Sequence, residues 1–252
     1  MKKIIAFFKS IFPLLITLCG FLVILVELPL FIIRTLIVLV YGFSVIIFLF
    51  RFLHRKEKIY IFPKLVILFC VFTCFIALSS LRTFLTIEKF DEQLSIIRKI
   101  GLFICKDNYV CGFFSTVLIV GVVLYFSKLF ILNKSEETIS SCQNNLNLKI
   151  WEIRQKEIDQ VITNEKADVL RKTVDSDLDY YMNFEGSLKY FIGTVWAFIG
   201  LFIIVTAGGV SVGILEFNLS WHEALNQYII LSVGYLVVFI IPLFLVSVSF
   251  GI

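Results

Sequence analysis

Chemistry in this chain would have to come from a short roster of side chains. His54 and His222 each stand alone in sequence, away from other metal-binding residue types. The six cysteines, Cys19, Cys70, Cys74, Cys105, Cys111 and Cys142, form no paired C-x-x-C frame of the kind that holds zinc. No metal and no cofactor is expected. Cys105 and Cys111 bracket a loop and would form a disulfide if that loop faced an oxidising compartment. Serine, histidine and aspartate do not cluster, and there is neither an H-E-x-x-H pair nor a glycine-rich phosphate loop. No enzyme is therefore expected. Proton transfer across a membrane would need titratable groups within reach of one another inside apolar segments. Those segments offer Arg34, close enough to one end to snorkel to the interface, and little else.

The elements that would position these residues are membrane helices. Hydrophobic residues make up 59% of the chain and charged residues only 17%, and several apolar runs reach the roughly 20 residues that cross a bilayer. The expected fold class is all-α, a polytopic membrane helix bundle of about six spans. They fall near residues 11–27, 30–53, 63–81, 109–132, 190–212 and 228–250. The first follows Met1-Lys2-Lys3 without a small-x-small cleavage site and reads as an uncleaved helix. The net charge of +4 is spread over loops, so no nucleic acid is expected as a partner. The basic loop His54-Arg55-Lys56-Glu57-Lys58 belongs in the cytoplasm, and the loop 216–227, which lacks Lys and Arg, belongs outside. Both termini are then cytoplasmic. Residues 82–108 alternate apolar and charged positions, as a helix at the interface or against the bundle does. The basic residues there sit poorly outside the membrane, and an in-plane or re-entrant course would remove the conflict.

Three regions follow: a first membrane half, 1–133; a polar insert, 134–186; and a second membrane half, 187–252. The insert has mixed charge with an acidic excess. Ile150, Ile153, Ile158, Val161, Ile162, Val169 and Leu170 recur every three or four residues, which predicts one or two amphipathic helices, the second capped by Thr163. The glycine-rich stretch 207–213 reads as a flexible end to the fifth span. The small residues Gly200, Ala207, Gly208 and Gly209 would let copies of the chain approach closely.

Short pieces along the chain share their order and spacing with one known pattern. They are Leu28-Pro29 before the second span, Phe62-Pro63-Lys64 opening the third, and Ser80 and Arg82 closing it. Asn108-Tyr109 and Gly112 open the fourth. Glu185-Gly186, Lys189 and Gly193 follow the insert, Ser220, Glu223 and Tyr228 precede the last span, and Gly234 and Pro242 lie inside it. From about Leu28 to the last residue the chain resembles the membrane domain of the bacterial export-gate family, the FHIPEP proteins of flagella and type III secretion systems. The resemblance implies that Glu185, Gly186 and Lys189 form the corner where the chain enters the membrane after the insert, with Gly186 bending.

The departures carry as much information. The family pattern has aspartates where Thr194, Tyr235, Arg154 and Lys156 stand, and an asparagine where Ala77 stands. The resemblance also implies further spans and a large cytoplasmic domain that docks chaperone–substrate complexes, which this sequence does not reach. The expectation is a shortened inner-membrane component of a type III secretion or flagellar export apparatus, structural rather than proton-coupled. Its partners would be other export-apparatus membrane proteins, the lipid bilayer and further copies of itself, as a homo-oligomer or ring. A small-solute or ion transporter or channel subunit, and a non-functional gene fragment, are the alternatives.

Overall fold

The last helix of the chain is the axis of the molecule. A computed structural model describes residues 29–54, 59–86, 95–105, 108–126 and 134–251. These form seven helices, and no strand occurs among the described residues. They are α1 (Leu30–Leu53), α2 (Phe62–Thr86), α3 (Ser95–Cys105), α4 (Tyr109–Phe126), α5 (Lys134–Ile158), α6 (Asn164–Leu215) and α7 (Trp221–Gly251). Helix α7 touches all six of the others and is buried almost throughout, from Tyr228 to Ile240 without interruption. Nothing in its hydropathy distinguishes it from a lipid-facing span, because lipid and a bundle interior are equally apolar.

Four of these helices, α1, α2, α6 and α7, are long and apolar enough to cross a membrane. A fifth crossing is obtained if α3 and α4, bent by 102° at the break between them, count as one. The expected first span, 11–27, lies outside the described residues. Helix α1 turns Ile33, Val40, Ser44 and Ile47 inward at close to heptad spacing and leaves its other faces exposed. Helix α2 carries Pro63 in its first turn, where a missing N–H costs nothing.

One end of the bundle is tied together by aromatic rings. Phe62 at the start of α2, Phe184 in the middle of α6 and Phe250 at the end of α7 form a triangle with centroid separations of 5.4–6.1 Å. The Arg51 guanidinium lies 5.5 Å from the Phe62 ring centroid. Just beyond, the Tyr60 hydroxyl donates to Asp177 Oδ1 at 3.2 Å, and its ring packs on Tyr180. The turn after α1, the α5–α6 hairpin and the end of α7 therefore share one end of the molecule. The α6–α7 turn, with Asn218 at positive φ, lies at the other.

The insert is a helical hairpin. Leu146, Ile153, Ala167 and Val174 form its core, flanked by Ile150, Ile162, Leu178 and Tyr181. Glu157 and Arg171 form an ion pair across it, with Asp168 beside them. Helix α5 ends in a Schellman turn. Gln160 adopts φ 55°, its N–H bonds the Glu157 carbonyl, and the Val161 N–H bonds the Lys156 carbonyl at 2.9 Å. Thr163 stands at the N-cap position of α6 with extended backbone, but its side chain makes no cap hydrogen bond. The sequence predicted the position and not the bond.

Three further expectations change. Helix α6 runs without a break for 52 residues, about 78 Å, so insert and span are one element and the chain does not bend at Gly186. In 82–108 the described residues fall in two helices rather than one, and the second lies against the bundle, one of the two placements expected. Residues 82–86 complete α2, and α3 lies against the middle of α7, with Ile97, Gly101 and Cys105 turned inward and Lys99 and Phe103 outward. The stretch 207–213 is helical, and Gly209 and Gly213 are a seat for Tyr228 rather than part of a flexible end.

Candidate functional site

Three groups of residues stand out, and the first is the boundary between hairpin and bundle. Glu185, Gly186 and Lys189 lie on one side of α6, and with Gln143, Asn147, Leu178 and Met182 they line a groove of about 520 Å³ between α5 and α6. Lys189 Nζ donates to Glu185 Oε1 at 2.7 Å, an i,i+4 pair. That hydrogen bond, then the lysine charge, and then Gln143 hold the Glu185 carboxyl below the usual carboxylate range. Both side chains are solvated, so the pair fixes geometry more than stability. Gly186 forms part of the groove floor. A Cβ added there would meet nothing within 4 Å, so only groove width depends on its lacking one. Gly186→Ala is expected to stabilise α6 by about 0.5–1 kcal/mol through helix propensity. A rise in thermal midpoint in detergent checks this, and a fall would show that the backbone at Gly186 needs freedom the helix does not display.

The second group opens α7. Ser220 and Glu223 form a reciprocal capping box: the Ser220 N–H and hydroxyl donate to Glu223 Oε2 at 3.1 and 2.7 Å, and the Glu223 N–H reaches back to Ser220 Oγ at 3.4 Å. These bonds from Ser220 lower the Glu223 pKa. The role of Glu223 is to start a helix. Two turns later, the Tyr228 ring lies on α6 where two glycines make room. A Cβ at Gly209 would stand 2.8 Å from Tyr228 Cγ and one at Gly213 would stand 2.6 Å from Cε2.

The third group is the closed seam between α2, α6 and α7. The Tyr235 hydroxyl, fully buried, donates to the Ala77 carbonyl oxygen at 2.5 Å, and the Ser80 hydroxyl donates to the same oxygen at 2.9 Å. Thr194 on α6 lies beside Cys70 and Cys74 of α2, its hydroxyl donating to the Tyr190 carbonyl at 3.0 Å. Both positions at which the family pattern has an acid inside a span, Thr194 and Tyr235, thus face one stretch of α2. Neutral hydroxyls fill them and are satisfied by neighbouring groups, as burial demands.

The remaining sequence-selected residues are placed as follows. Asn108 caps α4, its Oδ1 accepting from the Val110 N–H at 3.0 Å. Tyr109 is the first residue of α4, and Arg82 lies in the last turns of α2; their side chains are outside the description. Gly112 is tight against Cys105, with room for a Cβ only 2.7 Å from its Sγ. Pro63 and Pro242 are buried in α2 and α7. Gly193 faces open space, as do Gly200 and Gly208, whereas Gly209 is used within the chain. Cys105 and Cys111 are both free thiols, one buried and one exposed.

Gly101 was not selected from sequence, yet it matters most in packing. A Cβ on it would stand 3.0 Å from the Ile230 carbonyl carbon and still nearer the carbonyl oxygen. One on Gly234 would stand 2.9 Å from the Ile97 carbonyl carbon and 3.0 Å from the Gly101 nitrogen. The backbones of α3 and α7 touch through this reciprocal pair. An apolar helix with a glycine at a spacing of four from both Ile97 and Cys105 was the available signal.

Comparison with known proteins gives one family match: the model of the FHIPEP family matches residues 21–252. The chain is 29% identical to the putative flagellar export/assembly protein LfhA of Escherichia coli O44:H18 over 61% of this chain and 22% of that protein. It is 27% identical to the flagellar biosynthesis protein FlhA of Bacillus subtilis over 76% and 28%. It is 24% identical to the secretion system apparatus protein SsaV of Salmonella typhimurium over 94% and 34%. The chain spans a third or less of the length of LfhA and FlhA. No solved structure matches.

Proposed function

Since this chain belongs to the FHIPEP family, we propose that it is a multi-pass component of the bacterial inner membrane within a type III secretion or flagellar protein-export apparatus, and that its part there is structural. One observation carries the second half of the reading. Where the family pattern places an acid inside the last span, Tyr235 is sealed against the Ala77 carbonyl with Ser80 beside it. Thr194 on α6, the other such position, is likewise neutral and buried. A relay needs titratable groups that exchange protons with water, and this seam has none that ionises near neutrality. What the chain keeps of the family pattern serves folding: the caps at Asn108 and Ser220–Glu223, the close approach at Gly234, the packing at Gly112.

On this reading the chain supplies a scaffold of helices and a hairpin at the cytoplasmic face. Its partners are other membrane proteins of the apparatus and further copies of itself. The groove at Glu185 and Lys189 is the place where hairpin and membrane are set relative to each other. The test has two arms. A tagged chain extracted from native membranes in mild detergent is expected to bring secretion-apparatus proteins with it; a chain that purifies alone sinks the assignment to that apparatus. In liposomes under an imposed proton gradient the chain alone is expected to add no flux. A flux that disappears in Glu185→Gln or Glu223→Gln would overturn the structural role.

A further inference from the structure

A second groove, of about 450 Å³, opens on the side of the bundle between α4, α6 and the start of α7. Phe113, Ile203, Ala207, Val210 and Leu225 are among its lining side chains. The two hydroxyls in the lining, on Thr206 and Ser211, donate to the carbonyls of Phe202 and Ala207, each at 2.9 Å. The lining therefore leaves no polar group for an occupant to satisfy. Phe113 is 55% exposed and Ile203 60%, so the groove opens outward from the bundle.

Depth and width decide what fits. On α6 the lining runs from Phe202 to Ile214, about 18 Å of helix, and it begins about 18 Å beyond Tyr190, where the apolar stretch starts. In a hydrocarbon core about 30 Å thick, that is the length of one leaflet, from just past the midplane to the boundary opposite the hairpin. Spread over this length, the 450 Å³ make a channel about 5 Å across. A helix with its side chains is about 10–12 Å wide and cannot sink into it. Carbon atoms in contact lie about 3.5–4.0 Å apart, so a single extended hydrocarbon chain does fit. At the outer mouth stands Trp221, a residue type that settles at the headgroup level. The turn there, residues 216–227, has Glu216 and Glu223, one histidine and no Lys or Arg. An anionic headgroup would meet like charge at this turn, and an ammonium would meet opposite charge.

We infer that this groove holds one acyl chain of a zwitterionic phospholipid with an amine headgroup, drawn from the leaflet opposite the hairpin. The chain lies along α6 beside α4, and the ammonium stands over the turn that carries Glu216 and Glu223. The lipid then supports α6 at the level where Gly209 and Gly213 seat Tyr228. With the hairpin at the cytoplasmic face, as proposed above, the leaflet is the outer one. The site itself requires only that α6 cross the bilayer, and not that the chain serve a secretion apparatus.

The full chain, reconstituted in vesicles of equal parts phosphatidylethanolamine and phosphatidylglycerol and re-extracted in detergent, provides the test. Mass spectrometry of the intact complex is expected to find phosphatidylethanolamine retained through washing. Ala207→Trp fills the groove and is expected to lower that retention about tenfold. Ile204→Trp, at the same depth but outside the lining, is expected to leave it unchanged. Glu216→Lys is expected to shift the retained lipid toward phosphatidylglycerol by about two- to fivefold, as an exposed charge contact does. All three positions are exposed, so each variant folds as the parent does. Retention indifferent to Ala207→Trp, equal loss in both tryptophan variants, or retention without headgroup preference overturns the site. So does a photo-crosslinker at Ile203 that, in native membranes, captures a protein and no lipid.

Discussion

Gly234→Ala is expected to detach α3 from the central helix. The added carbon would press on the Ile97 carbonyl, a backbone group that no rotamer change can move aside. Overpacking in a core usually costs about 1–3 kcal/mol, and a clash between two helix backbones belongs at the upper end of that range. Gly101→Ala meets the Ile230 carbonyl from the other side and is expected to behave alike. Cys105 provides the readout, because it is wholly buried where α3 ends against Gly112 and Ile229. In a Cys111→Ser background, maleimide should leave Cys105 unlabelled in the parent. Both glycine variants should label it, as read by peptide mass, with a lower thermal midpoint in detergent. An unlabelled Cys105 and an unchanged midpoint would mean that α3 and α7 do not touch through this pair.

The seat of Tyr228 makes a prediction of comparable size and of a different kind. Tyr228→Ala removes a fully buried ring and is expected to cost about 3–5 kcal/mol, as large aromatic-to-alanine changes in cores do. Gly209→Ala puts a methyl group into that same ring and should cost about 1–3 kcal/mol. The double variant removes the ring that the methyl group would strike. Its loss should therefore fall short of the sum of the two by about 1–3 kcal/mol, a coupling that only residues in contact display. Unfolding midpoints in mixed micelles for the parent, the two single variants and the double variant provide the cycle. Additive losses would show that Gly209 lacks a side chain for some reason other than Tyr228.

Much of this architecture is legible in the sequence, and the rest is hidden for a physical reason. The apolar stretches of α1, α2, α6 and α7, the hairpin with its periodic isoleucines, and the caps at Asn108 and Ser220–Glu223 follow from length, period and residue type. The depth of each helix does not. A soluble helix reveals its buried side by contrast with a polar side. In α7, Leu231, Val233, Leu236, Val238 and Leu243 point in several directions and are all buried, while the equally apolar α1 is largely bare. Lipid takes away the contrast that would have told them apart. Glycines suffer the same ambiguity: Gly193, Gly208 and Gly209 look alike on paper, and only the third has a neighbour that needs its missing Cβ. The continuity of α6 was hidden because Gly186 is as common in a bend as in a groove floor. The acid positions at Thr194 and Tyr235 were legible as losses; that both face one stretch of α2, from Cys70 to Ser80, was not.

The unbroken course of α6 makes the hairpin a lever. About 26 residues, roughly 40 Å of stiff helix, stand on the hairpin side of the Tyr190 level, and about as many lie within the bundle. The ring triangle of Phe62, Phe184 and Phe250 sits near the boundary between the two arms and serves as the fulcrum. The bond from Tyr60 to Asp177 acts as a stay between the hairpin arm and the turn after α1. A tilt of about 10° in the span swings the tip at Gln160 by about 7 Å, a displacement larger than one helical turn. A push on the hairpin is returned, with the same ratio, to the α6–α7 seat at Tyr228.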